Sequence, residues 1–406
     1  MNLTKIHLFT ALHHRNYRLL WGTSFLNGLA HWMQNISIAW LAWELSNSPI
    51  TVAIVVGTRY IPFLIIGPFM GVLIDRLNRR MLLIMVNLFL SLASFTFAGM
   101  IASGTVDIWH AFTFMMITGI CWSSMNPLRQ ALIANTVPKK DLMNAIALRS
   151  LGFNVTRMLG PAIGGILIAT HGLHINLIIQ GVACILGMLL LMPLKMPFKE
   201  ITPANNTFMT DFQQGIKYLI DQPVLFRLLI MTLASTAFIL PLKSMMPVVA
   251  AIMFDGNAIT AGFLTSSIGV GALIGSLAIA QSSKLKRKFI VAILCLILSG
   301  CMMFLFAQSR WLPISVCLGT LFGLSHMIFG LINNTLVQSL VPDHLRGRIS
   351  SIYMAETGVV PVGIILLGWL ITSIGPTIAV SILGTGTIMV SLLIIRLKKI
   401  DQHDEV

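Results

Sequence analysis

The sequence predicts an all-α membrane protein of 12 transmembrane helices arranged as two pseudo-symmetric six-helix bundles. Three observations lead there. Of 406 residues, 56% are hydrophobic and only 10% charged, where a soluble domain carries about 25% charged residues. The apolar residues fall in twelve runs long enough to cross a bilayer, which takes about 20 residues per helix. The short segments between the runs are alternately basic and nearly free of basic residues.

The predicted spans lie near 19–45, 50–74, 81–102, 108–133, 144–170, 174–194, 224–253, 258–281, 289–307, 312–340, 349–373 and 376–395. The runs are long and continuous and do not alternate with a period of two, so they read as helices and not barrel strands. The formal net charge of +14 is set by position. Arg15 and Arg18 precede the first span; Arg76, Arg79 and Arg80 follow the second; Lys139 and Lys140 follow the fourth. Lys284 to Lys288, then Arg346 and Arg348, and finally Arg396 to Lys399 continue the pattern, while the alternate loops hold Arg310 and little else basic. Positive charge marks cytoplasmic loops. Both termini are therefore expected in the cytoplasm, in a multi-pass protein of a bacterial inner membrane. This arrangement argues against nucleic acid as a partner and for contact with anionic membrane lipid. The first apolar run is too long for a cleaved signal peptide and lacks a small-residue cleavage site. The five cysteines, Cys121, Cys184, Cys295, Cys301 and Cys317, all lie in apolar runs and read as packing residues, with no metal spacing.

The longest interruption, 195–223, divides the chain into an N-terminal bundle, 1–194, and a C-terminal bundle, 224–406. Within it Phe208, Phe212, Ile216, Leu219 and Ile220 recur at helical spacing among Asp211, Gln214, Lys217 and Asp221. That pattern predicts an amphipathic helix on the cytoplasmic membrane surface. The halves resemble one another weakly. Val137-Pro138 and Val341-Pro342 follow the fourth and tenth spans, preceded by Asn126, Arg129 and Gln130 in one half and Asn333, Asn334 and Gln338 in the other. Two such units of the same topology imply an axis along the membrane normal and a site between them at mid-depth.

The loop Gly71-Val-Leu-Ile-Asp75-Arg76-Leu-Asn-Arg79-Arg80 joins the second and third spans. Its glycine allows close helix approach, its aspartate can meet a helix N-terminus or a cation, and its arginines can hold anions. Gly160-Pro161-Ala-Ile-Gly164-Gly165 lies in the fifth span, where proline removes a backbone donor and the glycines leave a flat face. Both patterns resemble signatures of the Major Facilitator Superfamily. Asn78 stands where the family usually has glycine, and Thr156 where the second motif often begins with glycine. Leu12 to Arg18, Trp32-Met33-Gln34, Asn126-Pro127-Leu-Arg129-Gln130, Asn144-Ala145, Asn154, Arg157 and Val341-Pro342-Asp343 to Arg348 are similar to the branch containing the enterobactin exporter and macrolide efflux proteins. The resemblance covers nearly the whole chain. It implies a secondary transporter and not an enzyme, working by alternating access. It implies a gating role for Gly71, Asp75, Arg76, Arg79, Arg80 and Arg129, and an antiporter-type role for Gly160, Pro161, Gly164 and Gly165. The arginine common in the fourth span of proton-coupled members is replaced here, with Met115 near its place.

Four charges lie well inside predicted spans, at least seven residues from either end: Arg59, Arg157, Lys243 and Glu356. A charge at mid-bilayer costs about 2.5–3.5 kcal/mol on insertion scales and usually turns inward to a partner or a wet cavity. Three cations against one carboxylate predict a positive pathway and an organic anion, such as a carboxylate or catecholate siderophore. The first span adds Asn27, His31, Gln34 and Asn35, and the tenth adds Asn333 and Asn334. Glu356 and His31 are the expected proton carriers, with His326 a weaker candidate.

The expected function is proton-antiport export of a small, siderophore-like organic anion by a monomer; drug or macrolide efflux and uptake of a nutrient or ferric siderophore are the alternatives. No cofactor is expected: Gly269-Val-Gly271-Ala-Leu-Ile-Gly275 reads as helix packing, and no Gly-Lys-Ser/Thr phosphate loop occurs. Asp75→Asn should slow turnover at normal expression; unchanged turnover in a vesicle transport assay would mark the loop as topogenic only.

Overall fold

A computed structural model describes residues 9–63, 65, 78–133, 135–194, 217–281, 287–342, 345, 349, 352–353 and 356–398. Among them there is no strand. The helices are α1 (Arg15–Ser46), α2 (Pro49–Thr58), α3 (Arg79–Ala102), α4 (Ile108–Ile133), α5 (Leu142–His171) and α6 (Leu173–Leu191). They continue with α7 (Pro223–Ser244), followed by the short helix Met246–Phe254, then α8 (Ala258–Gln281), α9 (Lys288–Gln308) and α10 (Leu312–Leu340). The last two are α11 (Val360–Ile374) and α12 (Pro376–Lys398). Among the described residues, nine helical segments are long and apolar enough to cross a membrane. Helices α1, α2 and α4 fall in the other three predicted spans.

Local chemistry sets the ends. Asn47 closes α1 in the left-handed region at φ 47°, which asparagine tolerates better than most residues. Ser48 then caps α2 by accepting from the Thr51 amide. Gly172 between α5 and α6 and Gly375 between α11 and α12 turn the chain with φ of 87° and 81°, values that favour glycine. These two turns, about 200 residues apart, repeat one another. Val137 and Val341, after α4 and α10, are both buried. Most of the segment 195–223 lies outside the described residues.

The chain divides into two compact units, Met1–Ile38 with Ile61–Pro203, and Ala39–Tyr60 with Ala204–Val406. In the first, α3 packs along α6, and Leu83, Leu90, Met125, Leu128, Leu148 and Cys184 form its core. In the second, α8 and α9 both pack on α10, α9 packs on α12, and α2 lies against α11. The glycines of 269–275 serve packing: an added Cβ at Gly271 would meet the backbone of Thr320, and one at Gly275 would fall 2.8 Å from the Leu324 carbonyl oxygen. Gly323 of α10 returns the contact against Ile268 of α8. Cys121 and Cys184 are buried and, like the other three cysteines, free.

Gly271→Val should destabilise the protein by about 1–3 kcal/mol or more through overpacking, seen as a lower thermal midpoint in detergent. Gly330→Val, where an added Cβ meets nothing within 4 Å, should lose far less.

Candidate functional site

The polar face of α1 organises the first unit. Asn27 donates from Nδ2 to Asn87 Oδ1 of α3 at 2.7 Å. Gln34 accepts at Oε1 from Gln180 Nε2 of α6 at 2.7 Å. Asn176 of α6 donates to Ser37 Oγ at 2.8 Å and to the Gly164 carbonyl at 3.0 Å. Thus two of the four polar residues expected on the pathway are struts between buried helices. The other two meet: Asn35 Nδ2 lies 3.3 Å from His31 Nε2, and since an amide nitrogen only donates, Nε2 is the accepting nitrogen there.

A ladder of cations and aromatic rings runs through His31. Its ring centroid lies 3.7 Å from that of Trp122 on α4 and 5.4 Å from that of Trp32. Arg129 places Cζ 5.6 Å from the Trp122 ring, and its Nη2 points to Met125 Sδ at 3.5 Å. Arg157 places Cζ 5.4 Å from the Trp32 ring, and Phe153 lies 5.8 Å from the same ring. Arg129 is 4% exposed and its Nε has no partner among the described residues. Neither arginine has a carboxylate within ion-pair distance among the described residues. A desolvated cation–π contact is worth about 2 kcal/mol, against about 2.5–3.5 kcal/mol for placing the charge in the membrane. The rings therefore offset most of the cost without neutralising the charge.

The glycine motif of α5 builds this ladder. A Cβ at Gly160 would fall 2.5 Å from Trp32 Cβ and 3.1 Å from the Leu29 carbonyl oxygen; one at Gly164 would fall 3.2 Å from Met33 Cα. Gly160, Pro161, Gly164 and Gly165 are all buried. The bare face lets α1 approach until Trp32 reaches Arg157. Thr156 is equally close, 2.9 Å through Oγ1 from a Cβ added at Gly28.

The second unit holds Arg59, Lys243, Glu356, Asn333 and Asn334. Arg59 follows α2 and is 6% exposed. Lys243 Nζ lies 2.8 Å from His326 Nδ1 and 5.7 Å from the Phe322 ring centroid. His326 Nε2 lies 3.0 Å from Ser235 Oγ. Ser235–Ile239 is a π turn inside α7. Glu356 Oε2 has no partner among the described residues. Asn333 is buried and donates to Thr232 Oγ1 at 2.7 Å. Asn334 lines an open groove with Leu331, Thr335, Gln338 and Ser339. Arg157 thus belongs to one compact unit, and Arg59 and Lys243 to the other.

Of the loop motif, Gly71, Asp75 and Arg76 lie outside the described residues. Arg79 opens α3. Arg80 donates from Nε to the Leu191 carbonyl at 3.0 Å and from Nη2 to the Met192 carbonyl, which ties it to the C-terminus of α6. Asn78, the departure from the family glycine, caps α3 by accepting from the amides of Arg80 and Met81. Trp32, Trp122 and Ser235 were not singled out from the sequence as pathway residues. The available signal was Trp122 and Arg129 seven residues apart on one face of α4, with Met125 between them.

A family model described as "Transmembrane secretion effector" matches residues 6–406. The staphyloferrin A transporter of Staphylococcus aureus is 23% identical over 387 residues, covering 93% of this chain and 94% of that one. Macrolide efflux protein A of Streptococcus pyogenes is 19% identical over 391 residues, 95% and 96% of the two chains. The enterobactin exporter of Shigella flexneri is 29% identical over 274 residues, 65% and 63% of the two chains. Among solved structures, a nucleoside transporter matches with a TM-score of 0.75 at 12% identity, over 94% of this chain and 99% of that one. A bacterial homologue of the human lysosomal transporter Spinster matches at 0.69 and 15% identity, over 94% and 95%. At these identities the structures show a shared fold alone.

Asn78→Ala should cost about 1 kcal/mol through loss of the α3 cap, read as a lower thermal midpoint, whereas Asn78→Gly, restoring the family residue, should cost only a few tenths.

Proposed function

Because the chain belongs to the major facilitator superfamily of membrane transporters, we propose that it exports a small organic anion of siderophore type across the bacterial cytoplasmic membrane. It is a multi-pass secondary transporter and not an enzyme. In this reading both termini are cytoplasmic, the protein acts as a monomer by alternating access, and protons move inward as the anion leaves.

The observation that carries the proposal is the ladder of Arg129, Trp122, His31, Trp32 and Arg157. Cations held by rings and not by carboxylates keep a positive potential inside a low-dielectric wall, where an anion gains most from it. Arg59 and Lys243 supply the same sign in the second unit. Two relatives named for staphyloferrin A and enterobactin support the substrate class. The antiporter-type motif at Gly160 supports the outward direction, acting through the seat it makes for Trp32.

We assign Asn27, Gln34 and Asn333 to holding the helices in register, and Asn35 to orienting His31. Glu356 and His31 carry the counter-moving protons; Glu356 is the stronger candidate, with one carboxyl oxygen unpartnered among the described residues. Arg129 and the loop Gly71, Asp75, Arg76 serve the cytoplasmic gate. Macrolide efflux is the second reading. It is favoured by the apolar and aromatic wall that Trp32, Phe153 and Trp122 present and by the macrolide efflux relative.

Transport into inverted membrane vesicles tests the proposal. Organic anions such as 2,3-dihydroxybenzoate should compete, organic cations such as tetraphenylphosphonium should not, and Arg157→Gln should cut the rate at least about tenfold at unchanged expression. A preference for cations, or for neutral macrolides, would overturn the anion reading.

A further inference from the structure

We infer that Lys243, His326 and Ser235 form an oxyanion site in the second unit, one that takes up a proton together with its ligand. The inference rests on the anion reading above and adds a group, His326, and a protonation event to it.

With Lys243 as an ammonium, the two contacts of His326 admit a single arrangement of protons. An ammonium only donates, so at 2.8 Å from Lys243 Nζ the His326 Nδ1 must be the accepting lone pair. The ring proton is then on Nε2, which donates to Ser235 Oγ at 3.0 Å. His326 is therefore neutral and held by both nitrogens, while Lys243 keeps its charge over the Phe322 ring. The π turn makes this possible. Eight residues of ideal α-helix would put Ser235 and Lys243 about 80° apart around α7. The one-residue excess of a π turn removes about 100°, leaving them within about 20° on one face. Both then reach the same side chain on α10. Such turns are frequent at functional sites.

An oxyanion is an acceptor only. Placed against Lys243 Nζ, it replaces His326 Nδ1 as acceptor and frees that nitrogen. Nδ1 then binds a proton from water and becomes a second donor to the same anion, while Nε2–H stays on Ser235. No covalent bond breaks, and one proton enters with each ligand. Two adjacent cations are unfavourable without the anion and favourable with it. The titratable groups on the neighbouring elements are these. Glu356 lies on the turn Glu356–Val359, which packs beside the π segment. Earlier on α7 lies Arg227, and Tyr353 donates to the Leu225 carbonyl. Helix α11 holds no charged residue, α12 holds Arg396 and Lys398 at its far end, and α9 holds Lys288 at its start with Cys295 and Cys301 along it. The proton at His326 enters and leaves with the anion, so it offsets ligand charge and is separate from the counter-flow assigned to Glu356 and His31.

The test is nitrogen NMR of ring-labelled histidine in the full-length transporter in nanodiscs, with the His326 signals assigned by their loss in His326→Gln. Without ligand, His326 should show one bare and one protonated nitrogen, with the proton on Nε2. Citrate should convert it to the doubly protonated form. Citrate affinity should weaken about tenfold per unit rise in pH where one proton accompanies binding. His326→Gln should keep weak binding but lose that slope, and Lys243→Gln should abolish the response. A charged His326 without citrate, a proton on Nδ1, or signals unmoved by citrate would overturn the site. If organic anions still compete in the vesicle assay after such a result, only this inference falls; if they do not, the anion reading falls with it.

Discussion

Hydrocarbon supplies no hydrogen bonds, and this constraint governs the buried polar side chains of the described helices. The first unit answers it with amide pairs that cross between helices: Asn27 with Asn87, Gln34 with Gln180, and Asn176 with Ser37 and the Gly164 carbonyl. Each pair is possible only at one register of α1 against its neighbours. Such pairs contribute modestly to stability in membranes, on the order of 0.6 kcal/mol, but a slipped register would leave several amides unbonded at once. Their effect is to define one arrangement, on which the placement of His31 and Trp32 depends.

The same constraint separates the two kinds of cation. Arg80 lies at a helix end and satisfies carbonyl oxygens that α6 leaves open. Arg129 and Arg157 lie within helices and rest on tryptophan faces. The first kind is consumed by the fold. The second is held over rings, and the anion proposal rests on it. Lys243 lies over the Phe322 ring and within hydrogen-bond distance of His326.

Much of the architecture was legible in the sequence because apolar run length is a direct demand of the bilayer. The helices α1 to α12 fall where the runs predict them, and the glycines of 269–275 serve helix contact as expected. The internal repeat was read from Val137 and Val341, but its clearer mark, the matched left-handed turns at Gly172 and Gly375, is a property of φ that composition does not reveal. The candidate site was half legible. A charge inside an apolar run announces itself, so Arg59, Arg157, Lys243 and Glu356 stood out as candidates. What each one touches depends on rotation about the helix axis. The polar residues of α1 looked alike in sequence, yet Asn27 and Gln34 turn to buried amides while His31 turns to Trp122. The π turn at Ser235–Ile239 left no mark in the sequence, and it is what brings Ser235 and Lys243 to one histidine.

The missing side chain at Gly160 has a consequence beyond packing. A methyl group there would collide with the base of Trp32, and Trp32 carries Arg157 on its face. The spacing between two helix backbones is thereby converted into the position of an electrical charge. The place of the Arg157 guanidinium is thus tied to how closely the backbones of α1 and α5 meet.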